Sequence, residues 1–165
     1  MVLTLKKTPK ELNDYIGSLK YARKWSPNED ADIRELTKAD FQAVQICCRV
    51  DDQDNRFERQ AAADFAECFG SSCENNRYHN LGLFKGTTLV GFVQGVSEEV
   101  NLTTINIFVN RQYRKNGYAK RLLLSLCSVF QDTVYCYSCE KTNIASIATA
   151  ESCGFIFQGS YLKIF

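Results

Sequence analysis

Proline is scarce, with two in 165 residues, and histidine scarcer, with one. With 45% hydrophobic and 24% charged residues, the composition excludes collagen-like, coiled-coil and wholly disordered chains. No internal repeat is present. No apolar run approaches the roughly 18 residues that cross a bilayer, and the opening MVLTLKKTPKELNDY lacks the apolar core of a secretory signal. A cytosolic location is therefore the expectation. Neither sign of charge dominates, since 20 Lys and Arg against 19 Asp and Glu leave a net +1. That balance argues against nucleic acid or a membrane as partner, although a local basic patch survives the argument. GxxxxGK[ST] and GxGxxG are both absent, so nucleoside triphosphates and dinucleotides lack their usual support.

What is present suits one domain, long enough to hold a core without a covalent staple. Eight cysteines are the exception to an ordinary composition. Cys136 and Cys139 have a metal-like or redox-like spacing, and Cys68 with Cys73 would be a second pair. The first pair lies in the apolar run TVYCYSC, which reads as a strand. Strand alternation turns those two side chains to opposite faces, and a low-pKa redox pair needs a helix N-terminus. The cysteines are read as structural, and no metal site is expected.

Hydrophobic periodicity places the elements. Val2 to Leu5 reads as a short strand and Pro9 to Ala22 as a helix, within a segment 1–31 treated as an extension to a domain over 32–165. Ile33 to Leu36 is a strand. Thr37 with Asp40 forms a capping-box-like start to a helix through Cys48. Phe57, Ala61, Phe65 and Phe69 recur every four residues, giving a helix over Arg56 to Phe69, with a turn over Gly70 to Asn76. Strands on either side of Gly86 form a hairpin, Glu98 and Glu99 begin the next turn, and Leu102 to Val109 is a third strand. The helix Ala119 to Val129, the strand Thr133 to Cys139 and the helix Asn143 to Ser152 follow, then two short apolar pieces, Phe155 to Phe157 and Tyr161 to Phe165. The expected fold is mixed α/β, antiparallel at first, with a βαβ unit after Leu102.

The most informative stretch joins that third strand to its helix: VNRQYRKNGYAKR. Arg111, Arg114, Lys115, Lys120 and Arg121 lie there with no acidic residue. Cations are disfavoured at a helix N-terminus, where unpaired N–H groups and the macrodipole are already positive. A bound anion would reconcile them. Gly117 allows the close approach that turns successive N–H groups onto a phosphate.

Arg114-Lys-Asn-Gly117-Tyr-Ala119 after Val109 resembles the acyl-CoA loop of the GCN5-related N-acetyltransferases, [Arg/Gln]-x-x-Gly-x-[Gly/Ala]. Asn143-Ile-Ala-Ser146-Ile-Ala-Thr-Ala150-Glu151-Ser-Cys-Gly154-Phe155 is similar to the family's late helix, and Ile33 to Asp40 to its first strand and helix. The resemblance implies a single-domain acyl-CoA N-acyltransferase fold that takes acetyl-CoA as donor and a primary amine of a small molecule or peptide as acceptor. Backbone N–H groups of Lys115, Asn116, Gly117, Tyr118, Ala119 and Lys120 would cradle the pyrophosphate, with Arg114 and Lys115 as charge partners. Ile107, Phe108 or Val109 would supply the N–H that polarises the thioester carbonyl. Asn143 would contact the pantetheine arm or fix the turn beside it.

Two departures from the family accompany the match. Its usual general-acid Tyr is Ala150 here, and the Glu base of some members would fall near Thr103. Glu98 and Glu99 are substitute bases or cation-holding groups. Tyr137 and Cys139 are substitute acids, alongside Tyr118, Tyr135 and Tyr161. His79, near the acceptor side, is the single group that titrates near neutrality when unperturbed. The alternative function is a catalytically degenerate CoA-binding or protein-interaction domain. On the acceptor side, about Ile46 to Asn76 and Ser160 to Phe165, the carboxylates Asp51, Asp52, Asp54 and Glu58 would suit a polyamine, an amino sugar or a basic peptide. The tail after Phe155 is short for this family, so its last hairpin would be reduced, completed by residues 1–31, or completed by a partner in a homodimer.

Overall fold

The hairpin around Gly86, whose φ is 59°, is the start of one mixed sheet. The computed structural model describes residues 2–5, 31–49, 56–99, 102–129 and 133–157. Its strands are β1 (Val2–Leu5), β2 (Ala31–Glu35), β3 (Tyr78–Lys85), β4 (Thr88–Glu99), β5 (Leu102–Val109), β6 (Val134–Ser138) and β7 (Ile156–Phe157). The helices are α1 (Phe41–Cys47), α2 (Arg56–Ser72), α3 (Tyr118–Val129) and α4 (Ile144–Ser152). The seven strands lie in the order β2-β3-β4-β5-β6-β1-β7. β2 to β5 pair antiparallel, and β5 pairs parallel with β6 across the α3 crossover.

Alternation along the strands divides the core in two. On one face Val44, Cys47, Ala62, Phe65 and Phe69 pack on Phe84, Phe92 and Phe108. Phe65 and Phe92 stack there at 3.7 Å between ring centroids. On the other, Leu122, Leu123, Leu126, Ala150 and Cys153 pack on Val93, Ile105, Tyr135 and Tyr137. The capping-box start holds: the Thr37 N–H donates to the Asp40 carboxylate at 2.8 Å, and Asp40 also takes Arg34 Nη2 at 2.7 Å. A 3-10 turn, Lys38–Asp40, then precedes α1.

Two expectations change. Helix α2 continues past Phe69 to Ser72, where Ser71 and Ser72 hydroxyls donate to carbonyls one turn back, and the turn begins only at Cys73. Glu98 and Glu99 do not start a turn. They extend β4, because Arg77 Nε holds the Ser97 carbonyl at 2.9 Å and the register absorbs a bulge between Ser97 and Glu99. The strand over Val2–Leu5 forms as expected, but its partners were not legible: it pairs antiparallel with β6 and β7 at once. The helix over Pro9 to Ala22, Asp51, Asp52, Asp54 and the segment Tyr161 to Phe165 lie outside the described residues.

Candidate active site

The β5–β6 ladder is short. Leu102 pairs with Val134, Thr103 with Tyr135, Thr104 with Cys136, and Ile105 with Tyr137, where pairing stops although β5 runs on to Val109. Beyond Ile105, among the described residues, no strand pairs with the β6 side of β5. The Asn110 N–H bonds the Val90 carbonyl at 2.9 Å, and Val109 stands opposite Gly91. Alternation therefore turns the N–H groups of Asn106 and Phe108 to β4, and those of Ile107 and Val109 into the opening. Of the three backbone donors expected, Ile107 and Val109 face the gap.

The loop closes one end of it. Asn110 caps the 3-10 turn Arg111–Tyr113 through its side-chain oxygen, which accepts from the Gln112 N–H, and its amide donates to the Cys47 carbonyl at 3.1 Å. Arg114 Nε bonds the Val109 carbonyl at 2.9 Å, laying its guanidinium 5.9 Å from the Phe108 ring centroid. Lys115 and Gly117 both have positive φ, 65° and 75°. Between them, the Asn116 side-chain amide donates to the Tyr113 and Arg114 carbonyls. The α3 ladder opens with the Arg121 N–H on the Gly117 carbonyl at 3.1 Å, which leaves the N–H groups of Tyr118, Ala119 and Lys120 outside it. A Cβ on Gly117 would meet nothing within 4 Å, so the space before these groups is open. Lys115, Asn116 and Gly117 are exposed, while the Tyr118 side chain is buried and anchors the helix. Two left-handed residues, N–H groups outside the helix ladder, open space and cationic side chains are the features by which a loop can bind an anion.

One cation of the expected cluster lies elsewhere. Arg121 is buried, and its Nη2 donates to the Ala31 carbonyl at 2.7 Å. It ties α3 to the start of β2 and does not face the loop.

The candidate acids and bases fall on different faces of the sheet. Tyr137 is buried, its hydroxyl shares a 2.5 Å hydrogen bond with the Ser146 hydroxyl on α4, and its ring meets Phe155 edge-on at 5.9 Å. Burial raises its phenol above the ordinary value, with the Ser146 bond working against it. Cys139 is raised for the same reason, also opposed by Ser146. Asn143 caps α4 by accepting the Ser146 N–H at 3.1 Å, the turn-fixing arrangement. Ala150, one turn beyond Ser146, is fully buried. Tyr135 reaches the carbonyls at the end of α3.

Glu98 belongs to the opposite face. Its Oε1 accepts from the Thr104 hydroxyl at 3.1 Å, and Oε2 lies 3.5 Å from Arg77. Thr104 and Cys136 share that face, whereas Ile105 and Tyr137 point to α3 and α4. Glu99 pairs with Leu102 across the bulge. His79 is half-buried beside Gly95 on β4, and burial lowers its pKa, with Glu35 acting the other way. Ser146, by residue type an ordinary small helix residue, is bonded both to the cap and to Tyr137. Its spacing three positions after the capping Asn143 was the available signal.

A mixed sheet that parts over a basic loop opening a helix defines a transferase fold of the acyl-CoA-binding kind. Residues 31–155 match the acetyltransferase (GNAT) family, and the chain belongs to it. Similar solved structures include the ribosomal-protein-S18-alanine N-acetyltransferase from Escherichia coli, with 21% identity, 75% of this chain and 76% of that one covered, and a TM-score of 0.57. Spermidine N-acetyltransferase from Vibrio cholerae, in complex with CoA and spermine, has 14% identity, coverage of 84% and 88%, and a TM-score of 0.59. An aminoglycoside acetyltransferase from an uncultured soil metagenomic sample has 10% identity, coverage of 85% and 97%, and a TM-score of 0.60. At these identities the likeness is one of fold. No curated protein sequence matches the chain significantly. Among the described residues, no helix is long and apolar enough to cross a membrane.

Proposed function

We propose that this chain transfers an acetyl group from acetyl-CoA to a primary amine of a small molecule or peptide. The observation that carries the reading is the parting of β5 from β6 after Ile105 and Tyr137, with the Arg114–Lys120 loop tied to the end of β5 by the bond from Arg114 Nε to the Val109 carbonyl. An extended pantetheine arm needs such a gap, and its pyrophosphate needs the loop. The similar structures support an amine acceptor, being named as acetyltransferases of spermidine, of an aminoglycoside and of a ribosomal-protein alanine.

In this mechanism the N–H groups of Lys115 to Lys120 bind the pyrophosphate, with Arg114 and Lys115 as charge partners. The N–H of Ile107 or Val109 bonds the thioester carbonyl oxygen, where negative charge develops. The amine lone pair attacks the carbonyl carbon, the C–S bond breaks, and the thiolate takes its proton from the Tyr137 hydroxyl, which Ser146 orients. Glu98 receives the amine proton through water on the other face. Tyr137 and Ser146 thus stand in for the tyrosine that Ala150 replaces.

Ala150 also supports a second reading, a degenerate domain that binds CoA without turnover. Isothermal titration with acetyl-CoA, on the wild type and on Gly117→Asp, tests the shared premise. Micromolar binding lost in the variant is the expected result; a folded wild type silent at millimolar acetyl-CoA overturns it. Acetyl transfer to an amine panel, followed by mass spectrometry, then separates enzyme from binding domain.

A further inference from the structure

We propose that the side-chain carbonyl of Asn106 receives the N–H of the acceptor amine, and that a one-way chain of hydrogen bonds from helix α2 holds it in that orientation. The inference rests on the acetyltransferase reading above.

The chain begins at Ser72, the last residue of α2, whose hydroxyl donates to the Phe69 carbonyl at 2.8 Å. A carbonyl can only accept, so the one hydroxyl proton is committed and the Ser72 lone pairs are left to receive. They take Asn80 Nδ2 at 3.0 Å. Asn80 Oδ1 must then accept, and does so from Gln94 Nε2 at 2.8 Å. Gln94 Oε1 in turn accepts from Asn106 Nδ2 at 3.3 Å. Every amide in the series is therefore oriented by the one before it. Reversing any of them would set NH2 against NH2 or oxygen against oxygen. Ser72, Asn80 and Gln94 are 4%, 3% and 7% exposed, so no water would relieve that mismatch cheaply.

The geometry makes this a straight rung across the sheet. Asn80 stands opposite Gln94 on β3 and β4, and Gln94 opposite Asn106 on β4 and β5. The series ends in the open. Asn106 is exposed, and among the described residues its Oδ1 accepts from no donor. It is also the first β5 residue beyond the last β5–β6 pair, on the face that carries Thr104 and Glu98 and away from Tyr137.

Three buried polar residues would be a costly way to join strands that the backbone ladder already joins. Their arrangement has a chemical use at its exposed end. An amine must be neutral to attack a thioester. A carboxylate at this point would stabilise the ammonium form, whereas an amide oxygen takes one N–H and leaves the lone pair free. Asn106 is thus an acceptor-binding residue, and Ser72, Asn80 and Gln94 are positioning residues.

The test uses steady-state kinetics on the full chain, with spermidine, kanamycin and an N-terminal alanyl peptide as acceptor probes. Asn106→Leu raises the amine KM about three- to tenfold, the loss of one neutral hydrogen bond, and leaves acetyl-CoA affinity unchanged. Asn106→Asp moves the pH–rate profile to the alkaline side. Ser72→Ala raises the amine KM in the same direction, Ser72→Thr restores it, and Ser72→Ala adds nothing in an Asn106→Leu background. An unchanged amine KM in Asn106→Leu overturns the inference, as does a Ser72→Ala variant that loses stability without a KM change. In both cases wild-type turnover leaves the acetyltransferase reading standing. A wild type that neither binds acetyl-CoA nor acetylates any probe overturns both.

Discussion

Ile105 and Tyr137 are the last residues to pair between the two parallel strands, and their side chains point to the same α3–α4 face. Thr104 and Cys136, one position earlier, point the other way. The register thus separates the chemistry: the phenol of Tyr137 meets Ser146 on one face, and the carboxylate of Glu98 meets Thr104 on the other. In the proposed mechanism, the acid for the leaving thiolate and the site of the incoming amine then do not compete for the same space.

Removing the Tyr137 hydroxyl tests the first half of that division. Tyr137→Phe is expected to lower kcat about tenfold or more while acetyl-CoA affinity holds. Because burial raises the phenol, its proton is present through neutral pH and is lost only in the alkaline range. The wild-type rate should fall there as pH rises, and the Phe variant should lack that limb. Unchanged kcat would remove Tyr137 from the mechanism.

Gly91 couples packing to the site. A Cβ there would lie 2.8 Å from the Phe108 carbonyl oxygen and 3.2 Å from Val109 Cα, both backbone. Gly91→Ala must push β5 at the point where it borders the gap. We expect a loss of about 1–3 kcal/mol in urea unfolding, together with weaker acetyl-CoA binding. At Gly82, on β3 and two strands from β5, the clashing atoms are side-chain carbons of Leu36 and Leu89. Gly82→Ala should destabilise the fold and spare acetyl-CoA affinity.

Asp40 contributes stability that depends on pH. Its hydrogen bonds from Arg34, chiefly, and from the Thr37 N–H outweigh burial and hold its carboxyl down at about 2. An unfolded-state carboxyl titrates at about 3.9. The contribution is therefore complete above about pH 4 and disappears as pH falls through about 2. Asp40→Asn should unfold at lower urea than the wild type at pH 7, with the difference closing between those two values. A gap that persists at the lowest pH would mean that packing, and not charge, is the cause.

Strand β1 pairs with β6 along its length on one side and with β7 at Leu3 and Thr4 on the other. Leu3 stands opposite both Tyr137 and Phe157. Leu3→Pro removes a donor from an interior strand and is expected to lower Tm sharply. Since β1 is the strand that pairs with β6 on the side away from β5, acetyl-CoA binding should weaken as well. Full thermal stability in the proline variant would show that β1 does not hold this place in solution.

The elements that were legible in the sequence are those decided by neighbours along the chain. Gly86 and Gly117 announce their turns because the backbone there needs positive φ. Asn143 announces α4 because its side chain caps a helix three residues away. Arg114 and Lys115 were readable as loop cations. The inward turn of Arg121 to the Ala31 carbonyl was not, since that contact spans ninety positions. Gly70 and two serines lower helix propensity at the end of α2, and the burial of Ser72 against Asn80 overrides that preference.

By itself the amino-acid sequence determined the glycine-containing basic loop, the order of strands and helices, and the family, all carried by local spacing and backbone preference. Tertiary structure decided where the Val2–Leu5 strand pairs, which strand residues face the gap, and how Ser72, Asn80, Gln94 and Asn106 align. Those outcomes depend on register between distant segments. A shift of one residue in register would exchange the two faces of the sheet, and nothing in local sequence forbids it. The packing of α2 on one side and of α3 and α4 on the other selects the register that is seen.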